Sequence, residues 1–203
     1  RYIATIILAI VLLLNFSCTD WLDVKPVDRM SEDQLYSTEA GFRQALNGIY
    51  VELNHADLYG DELLVNTVEI LAQRYKFSSM GTLTNQYHLA EFDYTTDYAK
   101  KCGSRIWEKA YALIANVNKL LKNADSYKDL FTGDSYDLIT GEAYALRAFL
   151  HFDLLRLFGP VYKTHKEDKS ICYNTQFSLS GSDLLPASKV MEYVIADLKE
   201  AED

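Results

Sequence analysis

The stretch GEAYALRAFLHFDLLRLFGPVYK, residues 141–163, carries the clearest structural signal in the chain. From residue 135 onward, apolar side chains recur every three or four residues, the spacing that places them on one face of an α-helix. These positions are Ile139, Ala143, Leu146, Phe149, Leu150, Leu154 and Leu157. Gly159 and Pro160 then mark a helix end, because proline cannot continue the helix. We therefore predict one long helix over residues 135–158.

The same spacing predicts four further helices elsewhere in the chain. They cover residues 38–54, about 61–75, 104–123, and 188 to the last residue. Ser31-Glu32-Asp33-Gln34 has the form of a capping box, so a short helical turn is expected just before the first of them. Residues 76–103 and 161–187 are predicted to be long connections, and such loops on a rigid frame commonly carry binding groups.

The pattern of these segments predicts an all-α fold. No stretch shows several alternating apolar and polar strands bounded by tight turns. Amphipathic helices joined in sequence must bury their apolar stripes on one another, and helix pairs of this size can stack as tetratricopeptide-like repeats. That repeat is matched loosely by Trp107 and Tyr111 in one helix and by Ala145 and Phe149 in the next.

The N-terminal segment predicts export and lipidation. Residues 3–14, IATIILAIVLLL, would span about 18 Å as a helix, well short of the roughly 30 Å hydrocarbon core, so they are typical of a signal peptide. Ser17 and Cys18 resemble a bacterial lipobox, in which the thiol is acylated and the chain is cut before it. We predict a signal peptide at 1–17, a lipid-anchored segment at 18–30 and a helical domain at 31–203. The alternative is a plain signal peptide with Cys18 as an incidental thiol.

Composition and charge narrow the class of partner. The net charge is −9 and the pI is near 4.9, which argues against nucleic acid, because phosphate recognition needs clustered Lys and Arg. Tyrosine is abundant, with fifteen residues, and it is the aromatic side chain that tolerates half-exposure. Cys102 and Cys172 could pair or remain two separate thiols, and we favour separate thiols. Neither lies in a Cys/His cluster, so no zinc site is indicated.

No motif predicts catalysis, a cofactor or a metal. The chain lacks the GxSxG, HExxH, P-loop and dinucleotide fingerprints. His151 and Asp153 lie near Arg147 and Arg156 on the longest predicted apolar helix, and we interpret this group as a structural ion-pair network. A hydrolase is therefore the last-ranked function.

Residues 141–163 resemble the SusD/RagB family of outer-membrane lipoproteins from Bacteroidetes, in which Gly-Glu-Ala, Leu-Arg-Ala, Phe and Phe-Gly recur in this order. Three other segments agree with the family. They are CTDWLDVKP, LYGDELLVNTVEILAQRY, and Ile106-Trp107 followed by Tyr111, Ile114, Ala115 and Asn116. Members of the family are considerably longer, so the resemblance implies the N-terminal part of such a protein, truncated at its C-terminus.

The resemblance also implies a location, a partner and an activity. Similar proteins are mostly helical, with tetratricopeptide-like pairs, and a lipid anchor holds them on the outer face of the outer membrane. They sit as a hinged lid on a SusC-like TonB-dependent β-barrel and capture an oligosaccharide or other nutrient for import. No bond is broken in that process, so the chain is expected not to be an enzyme.

Ligand contacts are expected between residues 74 and 98, because similar proteins place aromatic and Asn contacts in the corresponding loop. We select Tyr75, Asn85, Tyr87 and Tyr94 as ligand-binding candidates. Tyrosine rings can stack on the C–H faces of a sugar, and amide groups can bond its hydroxyls. Glycans, peptides and glycoconjugates all remain open as ligands. The alternative function is a helical-repeat scaffold that binds protein or peptide in the cell envelope.

Overall fold

A computed structural model describes residues 31–77, 84–177 and 182–202 of the chain. The predicted signal peptide at 1–17 and the predicted lipid-anchored segment at 18–30, with Cys18, lie outside the described residues. Residues from Asp33 onward belong to one compact unit, Asp33–Asp203.

Within the described residues the secondary structure consists of α-helices and short turns. The helices are α1 Glu32–Leu35, α2 Glu39–Leu53, α3 Thr67–Leu71, α4 Thr84–Ala90, α5 Asp97–Ser126, α6 Ser135–Phe158, α7 Tyr162–His165 and α8 Ala187–Glu200. A 3₁₀ turn, Lys128–Leu130, connects α5 to α6. The only β-type pairing in this part of the chain is an isolated antiparallel bridge between Lys169 and Pro186. The predicted all-α fold is confirmed.

Side-chain caps explain where two of the longer helices begin. The Thr38 hydroxyl accepts the Gly41 N–H at 3.2 Å before α2, and the Thr96 hydroxyl accepts the Ala99 N–H at 3.3 Å before α5. Such caps satisfy N–H groups that have no partner inside the first helical turn. The α6 helix ends at Phe158, next to Gly159, as its sequence predicts.

The helix predicted at 61–75 is wrong in length, since α3 has only five residues. The preceding residues form successive turns, in which the N–H groups of Leu64, Val65 and Asn66 all donate to the Asp61 carbonyl. Leu64 is 59% exposed, so it does not belong to a buried stripe. A tertiary contact overrides the periodicity here, because the Glu62 carboxylate turns inward and bonds Arg105.

Two other boundaries also differ from the prediction. The predicted connection at 76–103 contains α4 and the first turns of α5, because the Thr96 cap starts that helix earlier than the apolar pattern alone indicates. At the other end, α8 stops at Glu200, and Ala201 and Glu202 form a turn.

The four longer helices pack as a bundle with α6 at its centre. Trp107 on α5 contacts Phe158 at one end of α6, with ring centroids 5.2 Å apart, and Tyr136 near the other end donates to Asp125 at 2.7 Å. These helices are therefore antiparallel neighbours. The buried side chains of α2, α5, α6 and α8 form one hydrophobic core, which includes Phe42, Ile114, Val117, Leu120, Ala143, Leu150, Leu154 and Val190.

A smaller apolar cluster lies beside this core. Ile70, Leu89, Ala90 and Ala99 bring together α3, α4 and the start of α5. This cluster fixes the position of the segment from which we predicted ligand contacts. No helix among the described residues combines the length and apolar character needed to cross a membrane.

Candidate functional site

Two helix ends with left-handed backbone shape the segment that contains the predicted ligand residues. Gln73 follows α3 with φ 59°, and Phe92 follows α4 with φ 58°. The N–H groups of Gln73 and Arg74 donate to Ile70 and Glu69, and the N–H groups of Phe92 and Asp93 repeat this pattern after α4. Both ends are Schellman motifs, in which glycine usually occupies the left-handed position. Larger side chains in this conformation carry backbone strain, and such residues cluster at ligand sites.

The two motifs are joined by a side-chain hydrogen bond. The Gln73 amide Nε2 donates to the Ala90 carbonyl at 2.6 Å. This bond fixes the end of α3 against the end of α4, so the two left-handed residues hold one common surface.

Three exposed aromatic side chains follow these two helix ends along the chain. Tyr75, Phe92 and Tyr94 are 45%, 52% and 57% exposed. The Tyr75 hydroxyl donates to the Val65 carbonyl at 2.9 Å, and its ring meets Phe77 edge-on at 6.0 Å. The Tyr75 ring is therefore oriented by the protein. Exposed, oriented rings are suited to stacking against an apolar face of a ligand.

A cleft of about 340 Å³ opens beside Tyr94. Its walls are mainly apolar and come from α3, α4, α5 and the end of α6, with Thr67, Tyr94 and Lys100 adding polar groups to Leu71, Leu89, Ala99, Cys102, Gly103, Ile106, Leu157 and Phe158. Small-ligand sites fall in this size range and combine apolar walls with a few polar groups. The cleft and the exposed rings together form the candidate site.

A buried carboxylate supports one wall of this cleft. Glu62 is 3% exposed, accepts a hydrogen bond from the Thr67 hydroxyl and forms an ion pair with Arg105. Nearby, burial raises the pKa of Tyr98 to about 12. The paired Glu62 carboxylate has a positioning role and is not arranged as an acid or base facing the cleft.

The four predicted ligand residues do not all meet at one point. Tyr94 lines the cleft. Tyr75 follows α3 and is not among the residues that line the cleft. Asn85 is exposed on α4, whereas Tyr87 is half-buried there, with its ring edge-on to His88 at 5.7 Å. Sequence reasoning missed Phe92. Its place in the acidic-aromatic run 91–94, EFDY, was the available signal, but nothing in that run predicts a left-handed residue.

A second cleft, of about 630 Å³, lies towards the far end of α5. Its lining includes Asn118, Tyr144, Arg147 and Phe177, and none of the predicted ligand residues. Arg147 is bound to Asn118 and to Asp197, so its guanidinium is already engaged within the protein. We therefore place the candidate site at the smaller cleft.

The polar groups of α6 have structural partners. Arg156 pairs with Asp153 at 2.9 Å, and Asp153 also accepts the Tyr59 hydroxyl at 2.8 Å. The His151 Nδ1 lies 2.9 Å from the Arg147 carbonyl. These contacts agree with the predicted structural network. In the part of the chain that the structure describes, no group of three or more His, Cys, Asp or Glu side chains could hold a metal ion.

Both described cysteines are free thiols, as we favoured from the sequence. Cys102 is buried at the wall of the smaller cleft. Cys172 is half-buried and its Sγ lies 3.1 Å from the Ser182 carbonyl.

Comparison with known proteins identifies relatives of the whole described fold. A SusD-like family model, described as starch-binding and associating with the outer membrane, matches residues 20–202. The SusD-like protein P2 of Formosa agariphila is 28% identical over 197 residues, which cover 96% of this chain and 36% of that protein. This chain therefore spans about a third of the length of that curated relative.

Solved structures share the fold. A SusD superfamily protein from Bacteroides thetaiotaomicron has a TM-score of 0.64 and 22% identity, covering 81% of this chain and 36% of its own. A putative sugar-binding protein from Bacteroides vulgatus has a TM-score of 0.63 and 23% identity, with the same coverage. The family model spans nearly the full sequence and the helical bundle agrees with these structures, so the chain belongs to the SusD-like family.

Proposed function

We propose that this chain is part of a lipoprotein that binds oligosaccharide at the outer membrane and delivers it to a SusC-like TonB-dependent barrel. The observation that carries the proposal is the match of residues 20–202 to a family described as starch-binding and associating with the outer membrane. The similar structure from Bacteroides vulgatus, a putative sugar-binding protein, supports the same ligand class.

The candidate site provides suitable chemistry for such a ligand. A pyranose ring has C–H faces that stack on aromatic rings and hydroxyls that need hydrogen-bond partners. Tyr94 supplies an exposed ring at the cleft, Phe92 supplies an exposed ring two residues before it in the chain, and Asn85 supplies an exposed amide on α4. We propose that Tyr75, Tyr87 and Tyr94 contribute ring contacts and that Asn85 bonds hydroxyls.

A lipid anchor would explain how the binding domain stays at the membrane. One acyl chain anchors a protein only reversibly, whereas two or more give durable attachment. We propose multiple acylation at Cys18 after removal of residues 1–17, with the domain facing the cell exterior. Palmitate labelling of the wild type and of Cys18→Ala in cells tests this step. Equal labelling of the two proteins would contradict it.

Ligand binding is best tested by isothermal titration of the full-length mature protein against panels of plant and host oligosaccharides. Once a ligand is found, Tyr94→Ala should weaken binding about 3–10-fold, the loss expected from one stacked ring. Tyr127→Ala is the matched control, because Tyr127 is 45% exposed at the opposite end of α5 and should leave the affinity unchanged. Silence across all panels, with no barrel co-purifying from solubilised membranes, would reject the proposal.

A further inference from the structure

The larger cleft, of about 630 Å³, has a buried wall whose polar groups are held by the protein. Asn118 and Arg147 form this wall, and both side chains are buried. The Arg147 Nη1 donates to the Asn118 amide oxygen at 2.9 Å, and the Asn118 amide nitrogen donates to the Asn174 carbonyl at 2.8 Å. These bonds fix the wall before any ligand arrives, and a preorganised site loses less entropy when it binds.

The rim of this cleft carries polar groups of a different kind. Lys122, Tyr144 and Gln176 line the cleft, and no residue that the structure describes bonds the Lys122 ammonium, the Tyr144 hydroxyl or the Gln176 amide. Tyr144 is half-buried, and tyrosine hydroxyls usually find a partner when they are buried. Asp125 adds an acceptor, because its Oδ1 accepts the Tyr136 hydroxyl at 2.7 Å and a carboxylate has a second oxygen. The rim therefore offers both donors and acceptors to a ligand.

Two aromatic rings complete the cleft. The Arg147 guanidinium carbon lies 5.0 Å from the centre of the Tyr144 ring, and the Lys119 ammonium lies 5.3 Å from the centre of the Phe177 ring. Cations at this distance are attracted to the ring face, so they help to orient both rings. Phe177 is 46% exposed, so its ring is accessible to a ligand. Oriented rings of this kind are suited to stacking on the C–H faces of a ligand.

The charges of the cleft nearly cancel. Lys122 and Asp125 are both exposed on α5 and, three residues apart, they are neighbours on the helix surface. The Arg147 charge is balanced by the buried Asp197 carboxylate, with Nε 2.6 Å from Oδ2. An ionic ligand would therefore gain little from this cleft. A ligand with C–H faces and many hydroxyls would use its rings, donors and acceptors together, and a neutral saccharide has this chemistry.

We propose that the larger cleft is a second binding site, specific for a neutral saccharide. Gly103 lines the smaller cleft and Lys122 lines the larger one, so the two clefts lie about 28 Å apart along α5 at 1.5 Å per residue. A short saccharide therefore occupies one cleft at a time, and a longer chain held at both would bind more tightly than at either alone. This inference rests on the proposed function for the class of ligand, but not on the candidate site at the smaller cleft.

Hydrogen-exchange mass spectrometry of the full-length mature protein reports on each cleft separately. The probes are maltotriose, xylotriose and mannotriose, with trigalacturonic acid as the acidic counterpart. We expect at least one neutral trisaccharide to slow exchange in the peptide that covers residues 173–177. Phe177→Ala removes a ring and Tyr144→Phe removes only a hydroxyl, so each should raise the trisaccharide concentration for half-protection about 3–10-fold. Tyr127→Ala is the matched control, because Tyr127 is an exposed tyrosine near the same end of α5 that does not line the cleft.

The outcomes separate this inference from the proposed function. If the neutral trisaccharides protect only the peptide that covers residues 91–95, next to the smaller cleft, the second site is wrong and the proposed function stands. Protection at 173–177 that Tyr127→Ala reduces as much as Phe177→Ala would also reject the site. Protection by trigalacturonic acid alone would overturn the neutral ligand class. If no trisaccharide protects either peptide, the second site is rejected, and the oligosaccharide panels decide the proposed function.

Discussion

The guanidinium of Arg147 meets the carboxylate of Asp197 through two hydrogen bonds, 2.6 Å from Nε to Oδ2 and 2.7 Å from Nη2 to Oδ1. Both side chains are buried, at 6% exposure each. Asp197 also accepts the Tyr173 hydroxyl at 2.6 Å, and Arg147 reaches the Asn118 amide oxygen at 2.9 Å. This network joins α5, α6 and α8 to one another and to the segment between α7 and α8, in which Tyr173 lies.

Removing one member of this ion pair should be far more damaging than removing both. Asp197→Asn leaves the Arg147 charge buried without its partner, so we expect the free energy of unfolding to fall by about 3–5 kcal/mol. The combined Arg147→Met and Asp197→Leu variant leaves no buried charge and should lose less than either single variant. Guanidinium chloride unfolding of the full-length protein compares Asp197→Asn, the single variants Arg147→Met and Asp197→Leu, and the combined variant. A double variant less stable than Asp197→Asn would show that the pair itself is a strong net stabiliser.

The buried His151 side chain should make the stability of the fold sensitive to acid. Burial lowers the pKa of His151 from 6.5 to about 4. Its Nε2 accepts the Asn174 N–H at 3.1 Å, which requires the neutral ring with the proton on Nδ1. Below pH 6.5 the His151 side chain therefore binds a proton in the unfolded chain but stays neutral in the folded chain. The resulting stability is complete above pH 6.5 and is lost as the pH falls towards 4.

Between pH 7 and pH 4 the free energy of unfolding should fall by about 1–3 kcal/mol. Urea unfolding at several pH values measures this change. His151→Gln cannot titrate and should flatten this part of the profile. Glu39→Gln is the control. Hydrogen bonds with Ser135, Thr132 and Arg43 lower the pKa of Glu39 to about 2, so its contribution is lost only between pH 4.5 and 2. A profile that His151→Gln leaves unchanged would contradict the assignment.

Two glycines of α2 should respond oppositely to the same substitution. A β-carbon at Gly41 would lie 1.6 Å from the Leu35 carbonyl oxygen, whereas one at Gly48 would meet nothing within 4 Å. Gly41→Ala must displace α1 and should cost about 1–3 kcal/mol. Gly48→Ala should stabilise by about 0.5–1 kcal/mol, because alanine is the better helix former. Thermal unfolding compares the two, and equal signs would show that α1 does not pack on Gly41 in solution.

Sequence periodicity predicted α2 and α6 well, because their stripes face one continuous core and their ends carry strong signals. It failed at residues 61–75, where the inward turn of Glu62 towards Arg105 outweighs helix formation. It also identified Arg147 as a structural cation, but it did not identify the residue that pairs with it. Asp197 lies fifty positions away, and no local pattern predicts that contact.

The candidate site was predicted only in part for a similar reason. The segment was found through a family resemblance and its Tyr and Asn content, and Tyr94 does line the cleft. The left-handed backbone at Gln73 and Phe92 has no sequence signal, since neither glycine nor asparagine stands there. The geometry of the surface depends on how α3 and α4 end, which is settled by tertiary contacts.

Phe92 combines backbone strain with an exposed ring, and this combination gives a test of the proposed ligand surface. Its left-handed conformation costs about 1 kcal/mol or more, yet its ring is 52% exposed and makes no described aromatic contact. Phe92→Gly should therefore raise the free energy of unfolding by about 1 kcal/mol, because glycine adopts this conformation freely. The same variant should weaken oligosaccharide binding about 3–10-fold, if the ring stacks on the ligand as proposed.

Gln73→Gly is the matched comparison for this prediction, because Gln73 has nearly the same φ. Its amide donates to the Ala90 carbonyl, so relief of strain should be largely offset by the lost hydrogen bond, worth about 1 kcal/mol. Calorimetry of both variants, with and without oligosaccharide, separates strain from binding. If Phe92→Gly lowers stability and leaves affinity unchanged, then the ring supports the fold and the left-handed backbone serves packing, not ligand recognition.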